Sequence, residues 1–126
     1  MIKEPKTHYQ SEEEKQKFWK EFTNEAVVSS LIGDHPCIAK FVGVCIDDKY
    51  PAALLFLFKS GGNVENALLQ NHRYWSDKLE DVRKVMIMAW QAAEGISYLH
   101  QKKVIHGDIA CRNMLLDGDD NLRFLI

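Results

Sequence analysis

A chain of 126 residues with 46% hydrophobic and 27% charged residues has the composition of a single soluble globular domain, long enough to bury a core. A net charge of −2 with no basic block gives nucleic acid no electrostatic footing, and the longest apolar run, Pro51 to Phe58, is far short of the roughly 18 residues of a membrane helix. Cys37, Cys45 and Cys111 are widely spaced with no C-x-x-C, which argues against zinc and a disulfide framework; with no signal-peptide pattern and no N-x-S/T acceptor, a reducing, cytoplasmic setting is expected.

After a short apolar start, Met1-Ile2-Lys3, the run Ser11-Glu12-Glu13-Glu14 predicts a helix start, with Ser11 as cap and acid at the positive end of the dipole. The helix is expected to run to about Ile32 and to stop at Gly33, with Pro36 beyond. Phe18, Phe22, Glu25, Ser29 and Ile32 form one stripe at helical spacing, and Glu25 is its one charge. A carboxylate facing a core needs a partner, since an unpaired buried charge costs several kcal/mol or is neutralised; at the edge of the stripe it would reach water instead.

Two strands are expected next. Phe41 to Ile46 places Val42, Val44 and Ile46 on one face, Asp47-Asp48-Lys49 turns, and Pro51 to Phe58 reads as a buried strand from its length and its flanking Pro51 and Gly61-Gly62. Asn63 is placed to cap a short helix, Val64 to Gln70, and residues 71–76 form a polar loop carrying Tyr74 and Trp75. A long helix is expected to begin near Asp77 with Glu80 as a capping pair, burying Val82, Val85, Met86, Ala89, Ala93, Ile96 and Leu99 as core. The element pattern, helix and strands followed by helices and two more short strands, is that of an α+β fold.

The stretch Val104 to Asp117 carries the chemistry. A buried strand-like approach, Val104-Ile105, leads into His106-Gly107-Asp108; Asn113 follows Asp108 by five positions, ahead of the apolar exit Met114-Leu115-Leu116. An Asp and an Asn so spaced suit phosphoryl transfer, one accepting a hydroxyl proton and the other gripping magnesium; a lone pair of this kind is more often a loop satisfying its own backbone. Asp117-Gly118-Asp119-Asp120-Asn121 has the D-x-D-x-N spacing of a calcium loop but Leu122 where glycine is required, so a hairpin turn between strands 114–116 and 122–126 is expected.

The match is longer than one pair. His106 to Asn113 resembles the H-R-D-L-x-x-x-N catalytic loop of eukaryotic protein kinases, and Ala110-Cys111-Arg112 before Asn113 resembles its tyrosine-kinase form. Asp34 to Cys45 is similar to the family segment D-H-P-N-I-V-x-L-x-G-V-C, and Ser97 to His100 resembles the Y-L-H end of the family's helix E. The resemblance implies an incomplete two-lobed kinase fold: residues 1–57 part of the upper lobe with helix C, 58–62 the hinge, and 63–126 part of the lower lobe, ending about where D-F-G would follow. It implies ATP and Mg²⁺ as cofactors and a protein tyrosine as acceptor.

Residue by residue, the resemblance makes Asp108 the group that orients and deprotonates the acceptor, Arg112 the steadying cation of the loop, and Asn113 a magnesium ligand. Lys3 stands where V-A-I-K has its lysine and Glu25 where helix C has its glutamate, a pair holding ATP phosphates; their separation of 22 residues exceeds the family's usual gap. Phe56 falls at the position guarding the space behind adenine, Phe58 and Lys59 in the hinge, and Leu115 beneath the adenine. Departures are Gly107 in place of the loop arginine, which implies less dependence on activation-loop phosphorylation, and Leu57 where a glutamate is usual.

No G-x-G-x-x-G precedes Lys3, so the 126 residues alone are expected to transfer phosphate negligibly, and the sheet is expected to leave an apolar face uncovered. Two other readings remain: a catalytically inactive kinase-like module that binds proteins, and a small-molecule phosphotransferase of the aminoglycoside or choline kinase type, which also writes H-G-D-x4-N. Cys111-Arg112 and the Asp34-to-Cys45 segment speak against the latter. No nucleic acid or membrane partner is expected; a receptor parent would place the chain on the cytoplasmic side of the plasma membrane.

Overall fold

The computed structural model describes residues 11–47, 49–57, 59–70 and 78–126, together with the backbone of residues 2–3; Tyr50 and Gln70 are described in backbone alone. The expected loop at 71–76, the cap at Asp77 and the hinge residue Phe58 lie outside the described residues. The chain forms two compact units, residues 1–33 with 40–57, and residues 34–39 with 58–126.

In the first unit, helix α1 (Glu12–Ile32) starts where the sequence places it. Ser11 is the N-cap, its hydroxyl accepting from the Glu14 amide at 3.2 Å, and Glu12, Glu13 and Glu14 fill the first turn. Gly33 ends it at φ 79°, a left-handed conformation that costs glycine little. Phe22, Ser29 and Ile32 are buried and Phe18 and Glu25 half-buried, so the predicted stripe is the packed face. Phe18, Trp19 and Phe22 add an aromatic cluster with centroids 5.4–5.7 Å apart.

Strand β1 (Ile2–Lys3) pairs antiparallel with β3 (Tyr50–Phe56), which pairs antiparallel with β2 (Phe41–Asp47), giving the order β1-β3-β2. The second strand begins one residue before the expected start and ends at Phe56, two residues early. Leu54 and Phe56 are buried, and Phe56 meets Phe41 edge-on at 5.6 Å. Val42, Val44 and Ile46 do share a face, and it is exposed, as the uncovered apolar face expected from the sequence.

The second unit is organised around a hairpin of β4 (Met114–Leu116) and β5 (Leu122–Phe124), with Leu116, Leu122 and Phe124 at its centre. Segments from far along the chain extend it on both edges. On one edge the Phe124 amide donates to the Cys37 carbonyl (2.8 Å) and the Ala39 amide to that of Phe124 (2.6 Å); on the other, Gly61 N–H donates to Leu116 (2.9 Å) and Leu116 N–H to Gly62 (2.8 Å). The turn between the strands is the expected one: the Asp117 carboxylate accepts from the amides of Asp119 and Asn121 at 2.9 and 3.0 Å. Burial pushes the Asp117 carboxyl up, but those amide donors and the Asn121 side chain outweigh it and hold it below the usual carboxylate range.

Asn63 caps the next segment through its side-chain oxygen, 2.7 Å from the Asn66 amide, but residues 66–70 take the wider π-helical turn in place of a regular α-helix. Helix α2 (Leu79–Gln101) starts two residues later than expected, with Lys78 as N-cap, and packs on β5.

The expected core stripe of α2 is corrected by the structure. Met88, Gly95 and Leu99 are the buried positions, whereas Val82, Val85, Met86, Ala89 and Ala93 are exposed and Ile96 is half-buried. Residues 85–90 of α2 are apolar on every side, so spacing fits more than one face; the hairpin decides which one packs. The outer face lines an open groove of about 450 Å³ with Leu79, Val82, Met86, Ile87 and Trp90. We expect Leu99→Ala (1% exposed) to cost about 2–5 kcal/mol in urea unfolding. Met86→Ala (67% exposed) should stay within about 0.5 kcal/mol, the reverse order refuting this assignment of faces.

The buried strand-like approach to the loop is also corrected. Residues 104–106 form no strand, Val104 is half-buried and Ile105 is 85% exposed. Both edges of the hairpin are taken by residues 61–63 and 37–39, so Val104-Ile105 does not extend it. No described helix is long and apolar enough to cross a membrane.

Candidate active site

The loop between α2 and β4 is set by local chemistry. Lys103, at φ 59°, turns the chain out of the helix, and the Val104 amide closes on the Leu99 carbonyl at 2.9 Å. Gly107 follows at φ 76°, a conformation any other residue would adopt under strain, and a Cβ there would meet nothing within 4 Å. Cys111–Asn113 then form one 3₁₀ turn, closed by the Asn113 amide on the Ala110 carbonyl at 2.9 Å.

This path brings Asp108, Arg112 and Asn113 together. Arg112 Nη2 donates to Asp108 Oδ1 at 2.6 Å; Asn113 Nδ2 donates to Asp108 Oδ2 at 2.8 Å and to the Asp108 carbonyl at 2.9 Å. Each carboxylate oxygen thus has its own donor, which fixes the plane of the group while it stays exposed. The Asn113 hydrogen bond holds the Asp108 carboxyl below the usual carboxylate range against some desolvation, and Arg112 and His106 add to the lowering. The bonds favour the ionised form, so they are complete above the unfolded value of about 3.9 and lost as pH falls through the lower folded value. Removing the Asn113 hydrogen bond, in Asn113→Ala, should raise the Asp108 titration midpoint followed by carboxyl NMR; an unchanged midpoint would refute this assignment.

The other site residues predicted from the sequence are distributed as follows. Leu115 is buried in β4, two residues past Asn113, and bridges to Asn63. Lys59 is half-buried in the second unit. Glu25 is half-buried on α1 and Phe56 is buried at the end of β3, both in the first unit. Lys3 pairs through its backbone with Leu54; its side chain, like Phe58, lies outside the described residues.

One residue that sequence reasoning left without a role is His106. Its Nε2 lies 2.8 Å from the Leu125 carbonyl, its Nδ1 accepts from the Asp108 amide at 3.2 Å, and its ring meets Phe124 edge-on at 5.4 Å. The two-residue spacing to Asp108 was the available signal.

An α+β chain whose loop presents an Asp held by an Arg and an Asn has the composition of a phosphotransferase site. The family model for protein tyrosine and serine/threonine kinases matches residues 1–124, and the chain belongs to that family. Among similar proteins, spermatocyte protein spe-8 of Caenorhabditis elegans is 39% identical over 102 residues, covering 81% of this chain and 19% of that protein. The serine/threonine-protein kinase TNNI3K of Mus musculus is 34% identical over 68% of this chain and 10% of its own length. The tyrosine-protein kinase receptor svh-2 of C. elegans is 36% identical over 77% and 8%. The chain therefore spans less than a fifth of the length of these relatives.

Proposed function

We propose that this chain carries the catalytic loop of a tyrosine-directed protein kinase, which moves the γ-phosphate of ATP to a tyrosine hydroxyl of a protein. The observation that carries the reading is the Asp108 carboxylate, exposed yet fixed by Arg112 and Asn113. Asp108 orients the acceptor hydroxyl and takes its proton as the oxygen bonds to phosphorus and ADP leaves.

The donor chemistry fits Mg²⁺, a hard cation that takes oxygen ligands. Asn113 uses its amide nitrogen on Asp108, and its amide oxygen has no partner among the described residues. When bound, the metal neutralises charge on the phosphates. Lys3 and Glu25 are proposed to hold the nucleotide's phosphates, and Phe56, Phe58, Lys59 and Leu115 to border its adenine. Arg112 after Ala110-Cys111 supports tyrosine as acceptor, as does similarity to proteins named tyrosine-protein kinases; TNNI3K, named a serine/threonine kinase, marks the competing outcome. The proposed location is the cytoplasm or the cytoplasmic face of a membrane.

The test is magnesium-dependent labelling of tyrosine and serine/threonine peptides by the native protein and its Asp108→Asn variant. Tyrosine labelling that falls by about a hundred- to ten-thousandfold in the variant is expected. Labelling confined to serine or threonine overturns the acceptor assignment. No labelling, with no rise in melting temperature on adding magnesium-ATP, overturns the enzyme reading in favour of a binding module.

A further inference from the structure

The stripe along α2 that spacing marks as core is, apart from Leu99, not the face that packs. Leu79, Val82, Met86, Ala89, Ala93 and Ile96 recur at alternating intervals of three and four residues, the repeat of a coiled-coil seam. The first five are exposed and Ile96 is half-buried, while Met88, Gly95 and Leu99 turn the other side of the helix to the hairpin. At 1.5 Å per residue the seam is about 27 Å long.

We propose that this seam pairs two copies of the chain, with their α2 helices antiparallel about a twofold axis. The distribution of side-chain size selects both the occupant and its direction. Large residues, Leu79, Val82 and Met86, fill the first half of the seam, and Ala89 and Ala93 follow in the second. Antiparallel alignment sets Met86 of each copy against Ala89 of the other, Val82 against Ala93, and Leu79 against Ile96, so both alanines are covered by a larger side chain. Parallel alignment would set alanine against alanine and leave a gap along half the seam, against the close packing of protein interiors. The surface has the same asymmetry. A hollow of about 610 Å³ lies beside Ala93, Ile96 and Ser97, where Leu79 and Val82 of the other copy arrive.

Charge selects the same direction. The positions flanking the seam hold two charges, Lys78 and Arg83. A parallel pair would put Lys78 of each copy beside Arg83 of the other, a like-charge contact made twice. In the antiparallel pair Arg83 lies beside Trp90 of the other copy, a guanidinium against an indole that is 61% exposed in the single chain. Leu79, Val82, Val85, Met86 and Trp90 expose on the order of 600 Å² per copy, so pairing removes about 1,200 Å² from water, the lower bound of a stable specific interface.

The pairing involves no catalysis, so its test is a measurement of mass. In sedimentation equilibrium the 126-residue chain should show its monomer mass of 14.5 kDa at about 1 μM and approach twice that mass at about 100 μM, as suits an interface at the small end of the range. Met86→Lys and Ala89→Glu should each stay at 14.5 kDa at the higher concentration. An equimolar mixture of the two should recover the doubled mass, because only the antiparallel register brings the opposite charges together. An unaltered chain that stays at 14.5 kDa leaves the face to another protein or segment and overturns the proposal. A mass that climbs past twice that value marks open-ended association and overturns it equally. Full association of either single variant would rule out the seam, and a mixture of variants folded by circular dichroism that fails to pair would rule out the antiparallel register. The concentration series is read on the unaltered chain, so it stands whether or not a variant folds.

Discussion

Phe124→Ala is expected to cost about 3–5 kcal/mol, a large share of the roughly 5–15 kcal/mol that stabilises a typical domain. Phe124 is fully buried at the centre of the second unit, in β5. Its backbone is bonded to Cys37 and Ala39 and its ring edge meets His106. On the α2 side it lies so close that a Cβ built on Gly95 would come within 3.0 Å of Phe124 Cδ2. Truncation would therefore open a cavity against three separated segments, none of which can close it alone. Urea unfolding followed by circular dichroism measures the loss; a cost near that of an exposed substitution would show that the hairpin is not the centre of this unit.

Gly61→Ala should be the next most damaging change, for a reason of space. A Cβ at residue 61 would lie 2.5 Å from the Asp117 carbonyl oxygen and 2.7 Å from that of Leu116, both backbone atoms. The strand edge would have to part, stretching the Gly61-to-Leu116 and Leu116-to-Gly62 hydrogen bonds. Each buried backbone bond left unmade costs about 1–3 kcal/mol. Gly62 is the control: a Cβ there meets nothing within 4 Å, and only its φ of 75° opposes a side chain, at about 1–2 kcal/mol. Hydrogen exchange of the Leu116 amide separates the two, since Gly61→Ala should expose it and Gly62→Ala should leave it protected. Equal loss of protection in both variants would refute the close-approach account.

The two corrections to the sequence reading share one cause. In α2, Leu99 is buried as expected, but Val82, Val85 and Met86 were as good a lead into it as Met88, because residues 85–90 are apolar all round. Apolar spacing says that a helix has a buried face; it selects one only when the others are polar. Val104-Ile105 looked like a strand on composition, but a strand needs a free edge, and the hairpin has none left. The π-helical turn at 66–70 has no counterpart in the sequence pattern.

What the sequence by itself determined is a set of caps, stops and turns whose partners lie within a few residues. The Ser11 and Asn63 caps and the Asp117 turn follow from side chains reaching amides two to four positions away, and the stop at Gly33 from a glycine taking φ 79°. So does the Asp108, Arg112 and Asn113 cluster, with spacings of four and five, and with it the family. What only the tertiary structure decided is which distant surfaces meet: residues 37–39 and 61–63 on the two edges of one hairpin, the face of α2 turned to β5, and His106 joined to Leu125. Short-range hydrogen bonds are set by spacing and backbone geometry, which a sequence displays directly. Long-range packing is set by competition among many apolar surfaces of similar hydrophobicity, and shape decides that competition after the chain has folded.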